Sequence, residues 1–267
     1  MSPTAVHPSP LEKQALTALG TVLDPELDEP ITDLGFVRSV ATGAEGDLVV
    51  HLRLPTSFCS PSFAYLMASD AYDALGALPG VRSVVVQLDD HHDSDRINRG
   101  LAADAGYVGT FGAEADESLD ELRDTFRRKA HTAAMERALT SLLRSDPGLT
   151  ADDLAEVRLV DLPDVGTTHA LLRRRAAIGL STDPTALVLV DEAGRAYPRD
   201  EVPLRLRRAR TVRISIDGNA HFCRGLLRTR YPDSAPEQAP CAHGDTDPDP
   251  WVRTTSHPLL PLEVKAP

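Results

Sequence analysis

The sequence predicts an α/β chain of the α+β kind: a small mixed sheet with helices on one face, a long linking helix, and a second α+β domain. Three observations carry this. Residues 11–106 read in the order helix, strand, strand, helix, strand. Within them, Leu48, Val50, Leu52 and Leu54 alternate, the period of a half-buried strand. Residues 114–144 then keep three- and four-residue apolar spacing, the period of one long helix.

The elements follow in order. Leu11, Leu16, Leu19, Val22 and Leu23 have helical spacing, and Asp24-Pro25 stops that helix. Residues 31–40 read as a short strand, 43–46 as a hairpin-like turn and 47–54 as its partner strand. An Ala- and Leu-rich helix at 61–78 is closed by Pro79-Gly80, and 81–88 is a β-branched strand. In the long helix Leu119, Leu122, Phe126, Ala130, Ala133, Ala134, Leu139 and Leu142 share a face. Ser118 and Glu121 form a capping-box pattern at its start, and Asp146-Pro147-Gly148 ends it. Beyond it, Thr150-Ala151-Asp152-Asp153 reads as a helix N-cap and 167–179 as a short basic helix. Residues 185–190, 202–206 and 211–216 read as strands, with 191–194 as a turn. The expected organisation is a disordered N-terminus at 1–10, a first domain at 11–106, the long helix at 114–145, a C-terminal α+β domain at 150–231 and an irregular Pro- and Asp-rich tail at 232–267.

At 267 residues two compact domains fit more easily than one. Apolar residues make up 42% but aromatics only 4%, so the cores must rest on Leu, Val and Ala. A net charge of −12 repels a phosphate backbone, so no nucleic-acid partner is expected, and the run Arg205-Leu206-Arg207-Arg208 reads as a solvated edge. No apolar run is long enough to span a bilayer. Residues 1–10 are polar and Pro-rich, without the pattern of a signal peptide, which gives a cytoplasmic expectation. There the three cysteines stay reduced, free for metal or sulfur chemistry.

An ordered series of short motifs stands out. It runs Val22-Leu23-Asp24-Pro25-Glu26-Leu27, then Pro30-Ile31-Thr32-Asp33-Leu34-Gly35-Phe36-Val37, then His51-Leu52-Arg53-Leu54-Pro55-Thr56, then Cys59-Ser60-Pro61 leading into a helix, and Pro79-Gly80-Val81 leading into a strand. This series resembles the metal–sulfur cluster assembly domain of SufT and of the phenylacetate-pathway PaaD proteins. The resemblance covers roughly the first two-fifths of the chain. It implies iron or a transient Fe–S cluster as cargo, with Cys59 as the residue that handles it. More loosely, the chain resembles accessory proteins of actinobacterial diiron monooxygenase operons.

Cys59 makes sense in its own setting. It lies between an apolar strand and a helix with Pro61 in its first turn. Unpaired amides and the positive end of the helix dipole favour thiolate there, the form that binds metal. The alternative is a small buried hydrophobe. Asp24 and Glu26 sit at a chain reversal that the family fold would bring near the Cys59 loop, as a second ligand or as simple turn formers. Thr56 is expected to cap or hydrogen-bond that loop. PaaD-type chains carry a cysteine-rich cluster site towards the C-terminus. This chain has no Cys-x-x-Cys and only three cysteines, which excludes a four-cysteine cluster within one chain.

Two further polar groups are candidates. The first is Asp89-Asp90-His91-His92-Asp93, at the exit of a strand. Alternate residues share a face in strand geometry, so Asp90 with His92, or Asp89 with His91, could hold iron or zinc, which makes Asp90, His91 and His92 candidate ligands; the alternative is a solvated acidic exit. The second pairs His221-x-Cys223 with Cys241-x-His243, a two-Cys, two-His set able to close a zinc site, or else scattered residues.

The function expected is an accessory factor that assembles or inserts an iron or iron–sulfur centre into a client metalloenzyme, with a non-haem diiron monooxygenase as the client class. The alternative is a non-metal docking scaffold. No phosphate loop, nucleophile elbow or zincin motif is present, so no enzyme activity is expected. Expected partners are the client and other cluster-assembly proteins, with a homodimer also open.

Overall fold

The structure is a computed structural model, and it describes residues 9–43, 45–115 and 118–234. Helix α1 (Pro10–Leu19) opens with a capping box. Ser9 Oγ accepts from the Glu12 amide at 3.1 Å, and Glu12 Oε2 accepts from the Ser9 amide at 2.6 Å. It stops at Gly20, short of Asp24-Pro25, because the next residues are drawn into pairing: the Ile31 amide donates to the Val22 carbonyl at 2.9 Å. The two-residue strands β1 (Leu23–Asp24) and β2 (Glu29–Pro30) pair antiparallel around the reversal.

The main sheet has the order β3-β4-β5. β3 (Val37–Thr42) pairs antiparallel with β4 (Asp47–Arg53), and β5 (Ser83–Asp89) runs parallel to β4. Helix α2 (Pro61–Gly76) makes the crossover that a parallel pair requires. Leu48, Val50 and Leu52 of β4 and Val86 and Leu88 of β5 point to one face, where Ala15 and Leu19 of α1 and Ala68, Ala71 and Leu75 of α2 bury them. Val85, on the other face, is exposed. Each such buried Val or Leu contributes about 1.5–3 kcal/mol. Gly46 turns the β3–β4 hairpin at φ +85°, where a Cβ would lie 2.3 Å from the Gly80 carbonyl oxygen. Helices α3 (Ser94–Ala102) and α4 (Gly106–Phe111) follow, with Tyr65, Tyr107 and Phe111 forming an aromatic cluster beside them.

Helix α5 (Leu119–Ser145) starts where expected, with Ser118 Oγ accepting from the Glu121 amide at 3.1 Å. The α+β class holds, but the C-terminal segment differs from its reading. Residues 202–206 and 211–216 are not strands. They belong to one helix, α7 (Val202–Arg230). Its inward residues Val202, Leu206, Ala209, Arg213, Ile216, Ala220 and Leu227 recur at steps of three and four, with Cys223 filling the same series; windows of five residues hide that period. Residues 185–190 form only isolated bridges, Arg158 with Leu187 and Val190 with Ala196. The cause is Arg175 of α6 (Gly166–Ala177). This guanidinium, 1% exposed, donates to the carbonyls of Ser181, Leu187 and Val188 at 2.7, 3.1 and 3.4 Å, taking acceptors a strand ladder would use. At Thr150 there is no α-helix; Asp153 accepts from the Thr150 amide and hydroxyl and starts a 3₁₀ turn, Asp153–Ala155. Most of 1–10 and nearly all of 232–267 lie outside the described residues.

Two apolar cores result. The second is built from α5, α6 and residues 154–162, 188 and 189, with Val202, Leu206 and Ala209 from the start of α7. The first takes Ala220 and Leu227 from the end of α7. One helix therefore seals both cores. Its middle is tied to α5 by a charge network: Arg213 meets Glu136 at 2.6 Å and Asp217 at 3.0 Å, and Arg137 meets Asp217 at 2.5 Å. Among the described residues, no helix is long and apolar enough to cross a membrane.

Candidate functional site

Cys59 lies in the loop between β4 and α2, half-buried against the first core. Thr56 shapes that loop: its Oγ1 accepts from the Phe58 amide at 3.2 Å and lies 3.5 Å from Cys59 Sγ. Ser60 is the N-cap of α2, and no side chain caps the helix, so its first amides are left facing the loop. Next to the thiol, Phe58 is 81% exposed and lies beside the His92 ring, centroids 5.9 Å apart.

Asp24 and Glu26 stand at the β1–β2 reversal. Asp24 Oδ1 accepts from the amides of Glu26 and Leu27, each at 2.9 Å. These bonds favour the carboxylate, but burial outweighs them and holds the Asp24 pKa up at about 6. Glu26 Oε1 accepts from Asn219 Nδ2 of α7 at 3.2 Å.

The strand-exit group is not a metal set. β5 ends at Asp89, and Asp90 turns with φ +52°, so the alternation that would align Asp90 with His92 is broken. His91 is buried with both ring nitrogens engaged. Nε2 donates to the Cys59 carbonyl at 2.9 Å, and Nδ1 accepts from the Asp93 amide at 3.1 Å. His91 thus braces the cysteine loop through its backbone, and neither nitrogen is free for a metal. Asp90 Oδ2 accepts from the Tyr231 hydroxyl at 3.1 Å, while His92 is exposed and its amide donates to Ser57 O at 2.9 Å. Among the described residues, no three His, Cys, Asp or Glu side chains are grouped to hold a metal ion.

Of the paired zinc set, only His221 and Cys223 lie among the described residues. Cys241 and His243 lie outside the described residues. His221 and Cys223 are on a helix, where a two-residue step turns the side chains by about 200°. His221 is exposed and Cys223 faces inward, so they cannot share a metal as neighbours on a strand would.

What sequence reasoning missed is where α7 takes Cys223. Like Cys59, Cys223 packs against the first core. Burial, then the charges of Asp24, Cys59 and Glu26, push its thiol up to about 12. The three- and four-residue spacing of α7 was the available signal. The end of the helix is clamped to the site. Arg230 donates to the Leu54 carbonyl at 3.2 Å, to Ser57 Oγ at 2.7 Å and to the Asp90 carbonyl. Arg224 pairs with Glu29, and Arg53 bonds Asp233 while lying over the Tyr231 ring. Asp24, Glu26 and Cys59, with Thr56 beside it, are thus close enough to Cys223 for their charges to act on its thiol.

Comparison with known proteins gives a consistent picture. The family model of iron–sulfur cluster assembly proteins matches residues 12–88. The iron–sulfur cluster carrier protein of Mycobacterium tuberculosis is 39% identical over 80 residues, covering 30% of this chain and 20% of that protein. That of Mycobacterium leprae is 32% identical over 107 residues, 39% of this chain and 27% of the relative. An uncharacterized protein of Methanocaldococcus jannaschii is 33% identical over 90 residues, 34% of this chain and 93% of its own length. The chain thus spans about a fifth to a quarter of the mycobacterial carriers but nearly all of the archaeal protein. Residues 12–88, the domain that holds Cys59, match the iron–sulfur cluster assembly protein family.

Proposed function

We propose that the chain is an accessory factor that carries iron or a transient Fe–S cluster and passes it to a client metalloenzyme. The carrying observation is the half-buried Cys59 beside an uncapped helix start, with Cys223 on the same core. In this reading Cys59 binds the cargo first, since it sits in the loop. Cys223 supplies a second sulfur from α7. Its thiol holds its proton in the unloaded protein, so loading releases that proton. Two sulfurs from one chain leave cluster positions for a client or a second copy, which suits hand-over rather than storage. Asp24 and Glu26 set the charge behind the thiols, and Thr56 and His91 hold the loop. The client class remains that expected from the sequence, a non-haem diiron monooxygenase. The names of the mycobacterial relatives support carriage rather than catalysis.

Anaerobic reconstitution of the full chain with iron and sulfide tests this. The wild type should acquire iron and charge-transfer absorbance, Cys59→Ser should lose both, and Cys223→Ser should bind less iron. Iron content of the coexpressed client should fall with Cys59→Ser. A wild type that takes up no iron would sink the reading and favour the docking scaffold.

A further inference from the structure

A cavity of about 620 Å³ lies between the β1–β2 reversal and α2 on one side and α5 and α6 on the other, with Asp24, Asp28 and Asp70 in its wall. In a chain of net charge −12, four arginines line it: Arg123 and Arg127 from α5, and Arg173 and Arg174 from α6. Two are committed. Arg123 pairs with Asp70, and Arg174 Nε donates to Asp28 Oδ2 at 2.6 Å. The other two are not. Arg127 has only a 3.6 Å contact with Asp124, between exposed side chains, which is worth little. Among the described residues, no side-chain hydrogen bond or ion pair involves Arg173. Burial raises both the Asp70 and the Asp28 carboxyls, and Arg127 and Arg173 oppose that slightly, acting on Asp70 and Asp28 respectively without bonding either. Leu66 and Phe126 give the cavity an apolar wall. The volume is in the range of small-molecule sites, about 300–1,000 Å³.

We propose that this cleft binds a small organic oxyanion with an apolar body, held by Arg127 and Arg173 against Phe126. The inference does not rest on cluster handling: Arg127, Arg173 and Phe126 lie outside the Cys59 loop, with Asp24 shared between the cavity wall and the thiol site. The two arginines stand on different helices, so one anion between them makes charge-assisted bonds to both. Its apolar part covers ring and aliphatic surface that otherwise faces water.

The test uses the full chain, with phenyl phosphate, inorganic phosphate and benzoate as probes in calorimetry and thermal-shift assays. Phenyl phosphate should bind, at least about tenfold tighter than inorganic phosphate, and Arg127→Gln/Arg173→Gln should weaken it by at least about tenfold. Benzoate decides whether a carboxylate serves as well as a phosphate. Both substitutions are at exposed arginines outside the Asp28 and Asp70 pairs, so the fold should persist, which the unliganded melting temperature reports. A control variant, Arg207→Gln/Arg208→Gln on the exposed side of α7, should bind like the wild type. The proposal fails if no probe binds, if the Arg127/Arg173 variant binds as well as the wild type, if the control loses binding equally, or if inorganic phosphate matches phenyl phosphate.

Discussion

Replacing Asp24 with Asn should make the protein more stable at neutral and alkaline pH. Asp24 is 7% exposed, and its pKa rises from an ordinary 3.8 to about 6 because burial disfavours the charge. Between those values the folded protein holds a proton that the unfolded chain has lost. The contribution is therefore fully present below about pH 4, is lost as the pH rises through about 6, and stays lost above it. A shift of this size corresponds to about 3 kcal/mol between the acid and alkaline limits. Asn keeps the Oδ1 acceptor for the amides of Glu26 and Leu27 but carries no charge. The buried carboxyls of Asp28 and Asp70 are also raised, so the wild-type slope holds their contributions too. Subtracting the Asp24→Asn curve isolates Asp24. Urea unfolding between about pH 4.5 and about pH 8 should show the two proteins converging at the acid end, with Asp24→Asn ahead by about 1–3 kcal/mol at the alkaline end. Parallel curves, or a variant less stable at every pH, would refute the assignment of a buried, costly charge to this position.

Three other expectations follow from the packing. Arg230→Ala removes three donors from the edges of the Cys59 loop, so alkylation of Cys59 by iodoacetamide should speed up several-fold, read by mass spectrometry in the Cys223→Ser background; an unchanged rate would mean that α7 does not control access. Glu136→Ala removes the carboxylate 2.6 Å from the buried Arg213 guanidinium and should cost about 3 kcal/mol in urea unfolding. Gly46→Ala forces a side chain into the Gly80 carbonyl at positive φ and should cost about 2 kcal/mol or more, with the loss of protection in hydrogen exchange centred on β3, β4 and the start of β5.

Placing a carboxylate at Asp24 despite its cost is consistent with a functional position, since the same side chain faces the charges around Cys223. The second sulfur of the proposed reading comes from outside the matched segment: Cys223 is well beyond residues 12–88.

By itself the sequence determined the order of the main elements of the first domain, although its first long strand begins at Val37 rather than Ile31 and β1, β2, α3 and α4 were not legible. Its alternation over Leu48, Val50 and Leu52 admits only one buried face, and its parallel β4–β5 pair needs the helix that the Ala- and Leu-rich run supplies. Cys59 was legible for the same reason, since strand and helix leave it at their junction. Tertiary structure decided the rest. His91 looked like a ligand until packing gave both its nitrogens backbone partners, and Asp90 left the strand face once its φ turned positive. The residues 202–216 looked like strands because short apolar windows suit either period. Only the whole run, packed along α5 and carried into both cores, shows the helix that brings Cys223 and Arg230 to the site. Such contacts join residues more than 150 positions apart, and local periodicity carries no information about which distant faces will meet.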